Sequence, residues 1–289
     1  MLPGVVVALA WQPMPLGELW WRLLVGLLAC GLVASSNYTL NELIDGPYDL
    51  HHPTKKSRPV PSGAVSVPLA LVQWIALGAI GLGLGYAINI QFVYTLASLW
   101  VMGCVYNIPP VRSKDVPYLD VLTEAVNNPI RMLAGWFIVT STALPPASLL
   151  LCYWMVGCYL MAIKRFAEFR HLGDRARVAE YRRSLAYFTE DRLIVAILFY
   201  GSAGMLFFGA FIMRYRLELI ATFPLVALVM ARYLALGFEE DSAAQHPEKL
   251  YREPTLMAAV IATVIAMGVL TFVDVPILHR IFSPSIPPR

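Results

Sequence analysis

The chain is predicted to be an all-α, polytopic membrane protein: nine membrane segments in one helical-bundle domain over residues 1–289, the first of them short. Three observations carry that prediction. Hydrophobic residues make up 58% of the chain and charged ones only 14%, well outside the balance of a water-soluble globule. Several apolar runs reach the roughly 20 residues that cross a hydrocarbon core. Lys and Arg also concentrate in alternate loops, as expected of a chain threaded repeatedly through a bilayer.

The apolar segments fall at 2–11, 17–44, 66–86, 91–107, 118–140, 146–168, 191–213, 217–238 and 254–279. The first is too short to span and ends at the turn Gln12-Pro13-Met14-Pro15. A half-length first helix would leave backbone groups unpaired in lipid, so the true start codon is expected upstream of Met1. The beginning lacks the basic region and small-residue cleavage site of a signal peptide. Loops after the second, fourth, sixth and eighth segments are long and, with the segment ends beside them, hold about fifteen of the Lys and Arg residues. The opposite loops are short, and that side holds Arg22, Arg214, Arg216, Arg280 and Arg289. The positive-inside rule therefore places the long loops in the cytoplasm, in a cytoplasmic (inner) membrane. Segments before and after Pro146 read as possible half-bundles, with no detectable repeat. Cys30, Cys104, Cys152 and Cys158 all lie in apolar segments and form neither a disulfide framework nor a zinc pattern. No nucleic-acid partner is expected.

The second segment ends in Asn41-Glu-Leu-Ile-Asp45-Gly-Pro-Tyr-Asp49. Asn41 and Asp45 are one helical turn apart and face the same way. Gly46-Pro47 is expected to break the helix and fold Asp49 back. Three oxygen ligands at a membrane surface, followed by Lys55, Lys56 and Arg58, suit a magnesium-bound diphosphate. The plain alternative is an acidic cap with a solvated loop. His51 and His52 read as loop residues rather than ligands.

A second basic loop, Tyr106-Asn-Ile-Pro-Pro-Val-Arg112-Ser-Lys114, offers two cations to phosphate. It precedes a stripe of Asp120, Glu124, Asn127, Asn128 and Arg131 at helical spacing. Ionisable groups within the membrane are costly, so the stripe either lines a wet cavity or joins helices structurally. The sixth segment ends in Lys164-Arg165-Phe-Ala-Glu168-Phe-Arg170-His171. Lys164, Glu168 and His171 share a face there, and Lys164 is expected to pair with Glu168. Arg170, Arg175, Arg177, Arg182 and Arg183 read mostly as solvated or headgroup-facing, leaving Lys164 and Arg165 as the better substrate contacts. Tyr187 follows in Arg183-Ser-Leu-Ala-Tyr187-Phe-Thr189. Arg232 stands two turns before Glu239 and Glu240, an arrangement for a buried ion pair. An acidic cluster at the membrane surface rather than at midplane argues against a transporter.

Taken together, the N-x-x-x-D-x-x-x-D run, the H-P-T-K-x-x-R-P that follows, the Y-N-x-P-P-x-R-x-K loop and the order of segments resemble the UbiA-type superfamily of intramembrane prenyltransferases. The resemblance extends over nearly the whole chain. It implies a nine-helix bundle around a central cavity, capped by the motif loops. Members that move a prenyl group carry a second D-x-x-x-D motif after the sixth helix. Here Lys164-Arg165-x-x-Glu168 stands in that place, a poor magnesium site but a good phosphate site. That pattern, with R-x-S-L-x-x-Y-x-T after it, is similar to the branch that joins phosphoribose to polyprenyl phosphate; Asn128-Pro-Ile-Arg131-x-x-x-Gly135 is similar to the same branch's L-R-x-x-x-G. The resemblance thus implies phosphoribosyl diphosphate as donor, a polyprenyl phosphate as acceptor and Mg2+ on Asn41, Asp45 and Asp49. It also implies substrate contacts from Lys55, Lys56, Arg58, Tyr106, Arg112, Lys114, Asn128, Arg131, Lys164, Arg165, Glu168 and Tyr187. The alternative is transfer of a polyprenyl group from its diphosphate to an aromatic or other small acceptor.

Overall fold

A computed structural model describes residues 1–49, 55–172, 183–239, 242–245 and 247–282, and every regular element among them is helical. Six helical stretches are long and apolar enough to cross a membrane: Leu16–Pro47, Val67–Gly85, Ala147–Leu172, Glu190–Tyr215, Leu217–Gly237 and Pro254–Phe272. Only 17% of the apolar window is buried in the second and in the last of these, so their outward faces need lipid as solvent. The protein is an integral, multi-pass membrane protein. Its chain divides into two compact units, Met1–Pro145 and Pro146–Arg289.

The first unit contains α1 (Leu2–Trp11), α2 (Leu16–Asp49), α3 (Val67–Gly85), α4 (Ile90–Asn107), α5 (Leu119–Ala125) and α6 (Asn127–Val139). α2 packs along α3 and α4, while α1 lies on α6. Buried Ala8, Ala29, Val33, Phe92, Leu96 and Ile138 form its apolar centre. Small residues let the helices approach where lipid supplies no hydrophobic drive. A Cβ added at Gly4 would strike the Met132 carbonyl, and one at Gly135 the Met1 carbonyl. Several polar groups inside the apolar zone find a partner on a neighbouring helix. Ser36 Oγ donates to the Trp74 carbonyl at 2.7 Å and accepts from Trp100 Nε1 at 3.1 Å. Asn37 Nδ2 donates to the Leu99 carbonyl at 2.8 Å. Asn89 caps α4 through Phe92 N at 2.8 Å and reaches the Phe137 carbonyl of α6 at 2.6 Å.

The second unit contains α7 (Ala147–Leu172), α8 (Glu190–Tyr215), α9 (Phe223–Gly237), α10 (Pro254–Phe272) and α11 (Pro276–Phe282), with short 3-10 turns between several of them. α7 and α8 form its main pair, and α9 packs on α10. Thr189 Oγ1 caps α8 by accepting from Arg192 N at 3.3 Å. Tyr159 of α7 donates to the Met230 carbonyl of α9 at 2.8 Å.

Three expected segments differ. α2 runs through Gly46-Pro47 to Asp49 instead of breaking there. Proline removes only the bond to the Leu43 carbonyl, a small loss so close to the helix end. The chain turns back later, where Val60 N donates to Glu42 Oε1 at 2.7 Å. The expected 118–140 helix is broken between α5 and α6, because Pro129 has no N–H to offer the Ala125 carbonyl. The last segment ends at Phe272, not 279; Arg216 Nη1 holds Asp274 at 2.7 Å and Pro276 starts α11 separately. Arg232 also departs from expectation. Its Nη2 donates to Thr255 Oγ1 at 2.7 Å on an exposed surface instead of forming a buried pair with Glu239. Glu240 lies outside the described residues, as do His51, His52, Arg175, Arg177 and Arg182.

Candidate active site

The last turns of α2 bring Asn41 and Asp45 to one face, and the loop after α4 supplies the cation between them. Lys114 Nζ donates to Asp45 Oδ1 at 2.6 Å, to Asn107 Oδ1 at 3.0 Å and to Asn41 Oδ1 at 3.2 Å. All three protons of the ammonium are therefore directed. Lys114 is only 5% exposed. Burial lowers its pKa from the ordinary lysine value, and the Asp45 carboxylate partly opposes that by favouring the charged form. Arg112 adds a second cation: Nη2 meets Asp45 Oδ1 at 3.1 Å, while Nε is held by Asp115 Oδ2 at 2.8 Å. Its backbone has φ 27°, a left-handed conformation that side chains rarely adopt. The local fold thus accepts strain where a guanidinium is presented to Asp45.

The remaining expected residues fall into place unevenly. Asp49 is buried, and its Oδ2 accepts from Arg58 Nη1 at 2.8 Å. The backbone of Lys55 lies in the 3-10 turn Lys55–Ser57, and Lys56 in that turn is exposed. Tyr106 donates to Glu124 Oε2 at 2.9 Å, tying the end of α4 to α5. Asn128 and Arg131 occupy the first turns of α6, partly buried; Arg131 makes no hydrogen bond or ion pair with a described residue. The polar stripe is consequently divided by the α5–α6 break rather than running on one straight helix.

In the second unit the expected Lys164–Glu168 pair is replaced. Glu168 Oε2 accepts from Arg165 Nη1 at 2.8 Å, with side-chain exposures of 8% and 3%. The buried cation outcompetes the lysine, which is half-buried and has no hydrogen bond or ion pair among the described residues. Arg170 is not simply solvated: it pairs with Glu190 at 2.7 Å, joining the end of α7 to the start of α8. The Tyr187 ring is exposed on one side and carries the Arg192 guanidinium 4.4 Å from its centre.

Asn107 was not expected. It is 3% exposed, fixed by Nδ2 to the Gly103 carbonyl at 2.9 Å, and turns its oxygen to Lys114. A polar amide closing an otherwise apolar helix, seven residues before a lysine, was the available signal.

The donor set fits a divalent cation that shares its coordination with a ligand. Asn41 Oδ1 and Asp45 Oδ1 both accept from Lys114 Nζ, so they aim at a common point that the ammonium fills in this structure. No group of three His, Cys, Asp or Glu among the described residues makes a cage by itself. Magnesium characteristically takes one or two protein carboxylates and completes its shell with phosphate and water.

The membrane fold agrees with the comparisons. Residues 1–258 match the model of the UbiA prenyltransferase family, and the chain belongs to that family, a family of transferases. Similar relatives include nodulation protein NoeC of Azorhizobium caulinodans, 33% identical over 57% of this chain and 52% of its own length. Decaprenyl-phosphate phosphoribosyltransferase of Mycobacterium tuberculosis is 29% identical over 56% of this chain and 51% of its own. The chain spans about half the length of these curated relatives. A solved UbiA homologue from Archaeoglobus fulgidus, bound to DMAPP and Mg2+, superposes with a TM-score of 0.68 at 19% identity. That match covers 94% of this chain and 95% of the homologue, and it establishes the shared fold.

Proposed function

We propose that the protein transfers 5-phosphoribose from phosphoribosyl diphosphate to a polyprenyl phosphate and releases pyrophosphate. The observation that carries this reading is the buried Arg165–Glu168 pair, with Lys164 beside it. A prenyl transferase of the familiar kind needs acids there for a second metal. Glu168 is already neutralised by Arg165 at 2.8 Å, so withdrawing it to a metal would break a buried ion pair, a change that costs about 3–5 kcal/mol. The net charge of this cluster is positive, which suits a phosphate. The phosphoribosyltransferase among the relatives supports the same assignment.

On this reading Asn41, Asp45 and Asp49 hold magnesium, which supplies charge neutralisation to the departing diphosphate. Lys114 and Arg112 bind diphosphate oxygens next to those acids, with Lys55, Lys56 and Arg58 at the entrance. Tyr106, Asn128 and Arg131 orient the ribose side, and Lys164, Arg165, Glu168 and Tyr187 form the acceptor-phosphate cluster. An acceptor phosphate oxygen attacks the anomeric carbon as its bond to the diphosphate oxygen breaks. The acceptor is already anionic at neutral pH, so no general base is required. Cation-rich surroundings stabilise the charge that accumulates on the leaving group. The motif loops lie on the cytoplasmic side of an inner membrane, where a phosphorylated sugar donor is available.

The second reading is prenyl transfer to a small acceptor. Protoheme IX farnesyltransferase of Colwellia psychrerythraea, 28% identical over 45% of this chain, favours it. Pyrophosphate release separates the two. Purified protein with magnesium is given either phosphoribosyl diphosphate plus polyprenyl phosphate, or a prenyl diphosphate plus an aromatic acceptor. Release from the first mixture alone is expected; release from the second alone assigns prenyl transfer.

A further inference from the structure

The first unit holds a cavity that the transfer chemistry does not use. Its volume is about 290 Å³, and Gln12, Glu18, Arg22, Thr140, Ser141 and Thr142 are among the residues lining it. From Arg22 to Asn41 the continuous helix α2 rises about 28 Å, close to the ~30 Å thickness of a hydrocarbon core. The cavity therefore lies at headgroup level on the membrane face opposite the Asn41–Asp45 cluster. Exposed Trp11, Trp20 and Trp21 gather at the same end, as tryptophan does at a membrane–water interface.

The chemistry of the lining is specific. Arg22 is locked in place, with Nη1 on the Ile138 carbonyl at 3.2 Å and Nη2 on Glu18 Oε1 at 2.6 Å. Its Nε is buried and has no acceptor. Nη1 and Nη2 each carry a second N–H, and these, not the buried Nε, remain for a ligand. Glu18 is 40% exposed, and the ion pair uses only one of its two oxygens. The pair is neutral overall, so it gives a simple anion little net attraction. A ligand with both signs can satisfy both partners: phosphate toward Arg22 and the Ser141 and Thr142 hydroxyls, ammonium toward Glu18. An ammonium that donates hydrogen bonds suits a carboxylate better than a quaternary one, which would seek an aromatic cage. We infer that this cavity binds the headgroup of a zwitterionic aminophospholipid, phosphoethanolamine in chemical class, from the outer leaflet.

Native mass spectrometry of the full chain, with phosphatidylethanolamine, phosphatidylcholine or phosphatidylglycerol added to the detergent, tests the inference. The wild type is expected to retain phosphatidylethanolamine about tenfold better than either other lipid, the effect of one charge-assisted bond. Glu18→Gln should abolish that preference, and Arg22→Gln should weaken retention of all three. Thr142→Val leaves the ion pair intact and should lower retention about threefold, which guards against a folding defect in the charge variants. Equal retention of the three lipids, or an unchanged preference in Glu18→Gln, overturns the proposal. Soluble O-phosphoethanolamine should compete only weakly; competition as strong as the lipid's would assign the cavity to a soluble ligand and overturn it as well.

Discussion

Lys114 concentrates the site's electrostatics into one side chain. Its ammonium is shared by Asn41, Asp45 and Asn107, and a Lys114→Met variant leaves Asp45 with Arg112 as its only described cation. Charge-assisted bonds contribute about 1.5–3 kcal/mol each, so turnover should fall about 100-fold or more while the protein still folds. Turnover within a factor of three of wild type would remove Lys114 from the site. Asn107→Leu keeps the volume but withdraws one acceptor. We expect about a tenfold loss expressed mainly as weaker donor binding, measured as the split between KM and kcat. Arg165 and Glu168 should behave as a unit for stability: Arg165→Met alone destabilises by about 3–5 kcal/mol, whereas Arg165→Met with Glu168→Leu recovers most of it. Thermal unfolding in detergent reads this out, and additive losses would show that the two residues do not form the pair described. Much of this was legible in sequence. Asn41 and Asp45 were one turn apart by counting, and the basic loop was evident from its composition. Asn107 and the choice of Arg165 over Lys164 were not legible, because both depend on which side chain is buried, and adjacent helical residues differ in that by 100° of rotation.

At the level of elements, segments were read correctly where apolar length decides and incorrectly where one proline decides. Val67–Gly85 and Ile90–Asn107 match their expected bounds to within a residue. Pro47 and Pro129 had opposite outcomes: the first is carried within the final turns of α2, and the second separates α5 from α6. Position explains it. Near a helix end the missing hydrogen bond concerns a turn already open to water, whereas Pro129 is itself buried in a segment meant to be continuous. Close packing gives a prediction at this scale. An added Cβ at Gly103 would overlap the Asn37 side chain, which is fixed on the Leu99 carbonyl. Gly103→Leu should therefore push α4 away from α2 and lower the unfolding temperature of the purified protein; an unchanged midpoint would mean that the contact is not tight.

For the molecule as a whole, family membership and a multi-pass membrane fold follow from long apolar helices, a spaced acid-and-cation pattern and agreement with a fold solved elsewhere. Orientation is argued from the charge asymmetry of the loops. Single cysteines placed at Lys56 and at Ser141 should react with a membrane-impermeant maleimide from opposite sides, Lys56 from the cytoplasm. Reaction of both from the same side would overturn the threading. Substrate choice belongs to this scale too, since one fold can host several transfers and the residues of the site, not the fold, decide among them. The most direct measurement follows a label from donor to lipid. Purified protein in nanodiscs receives magnesium, a polyprenyl phosphate and phosphoribosyl diphosphate with isotopically labelled ribose, and the lipid is weighed by mass spectrometry. The account predicts a lipid heavier by one labelled phosphoribosyl group, abolished by Asp45→Ala. A lipid of unchanged mass, with turnover seen only when a prenyl diphosphate is consumed, would contradict it.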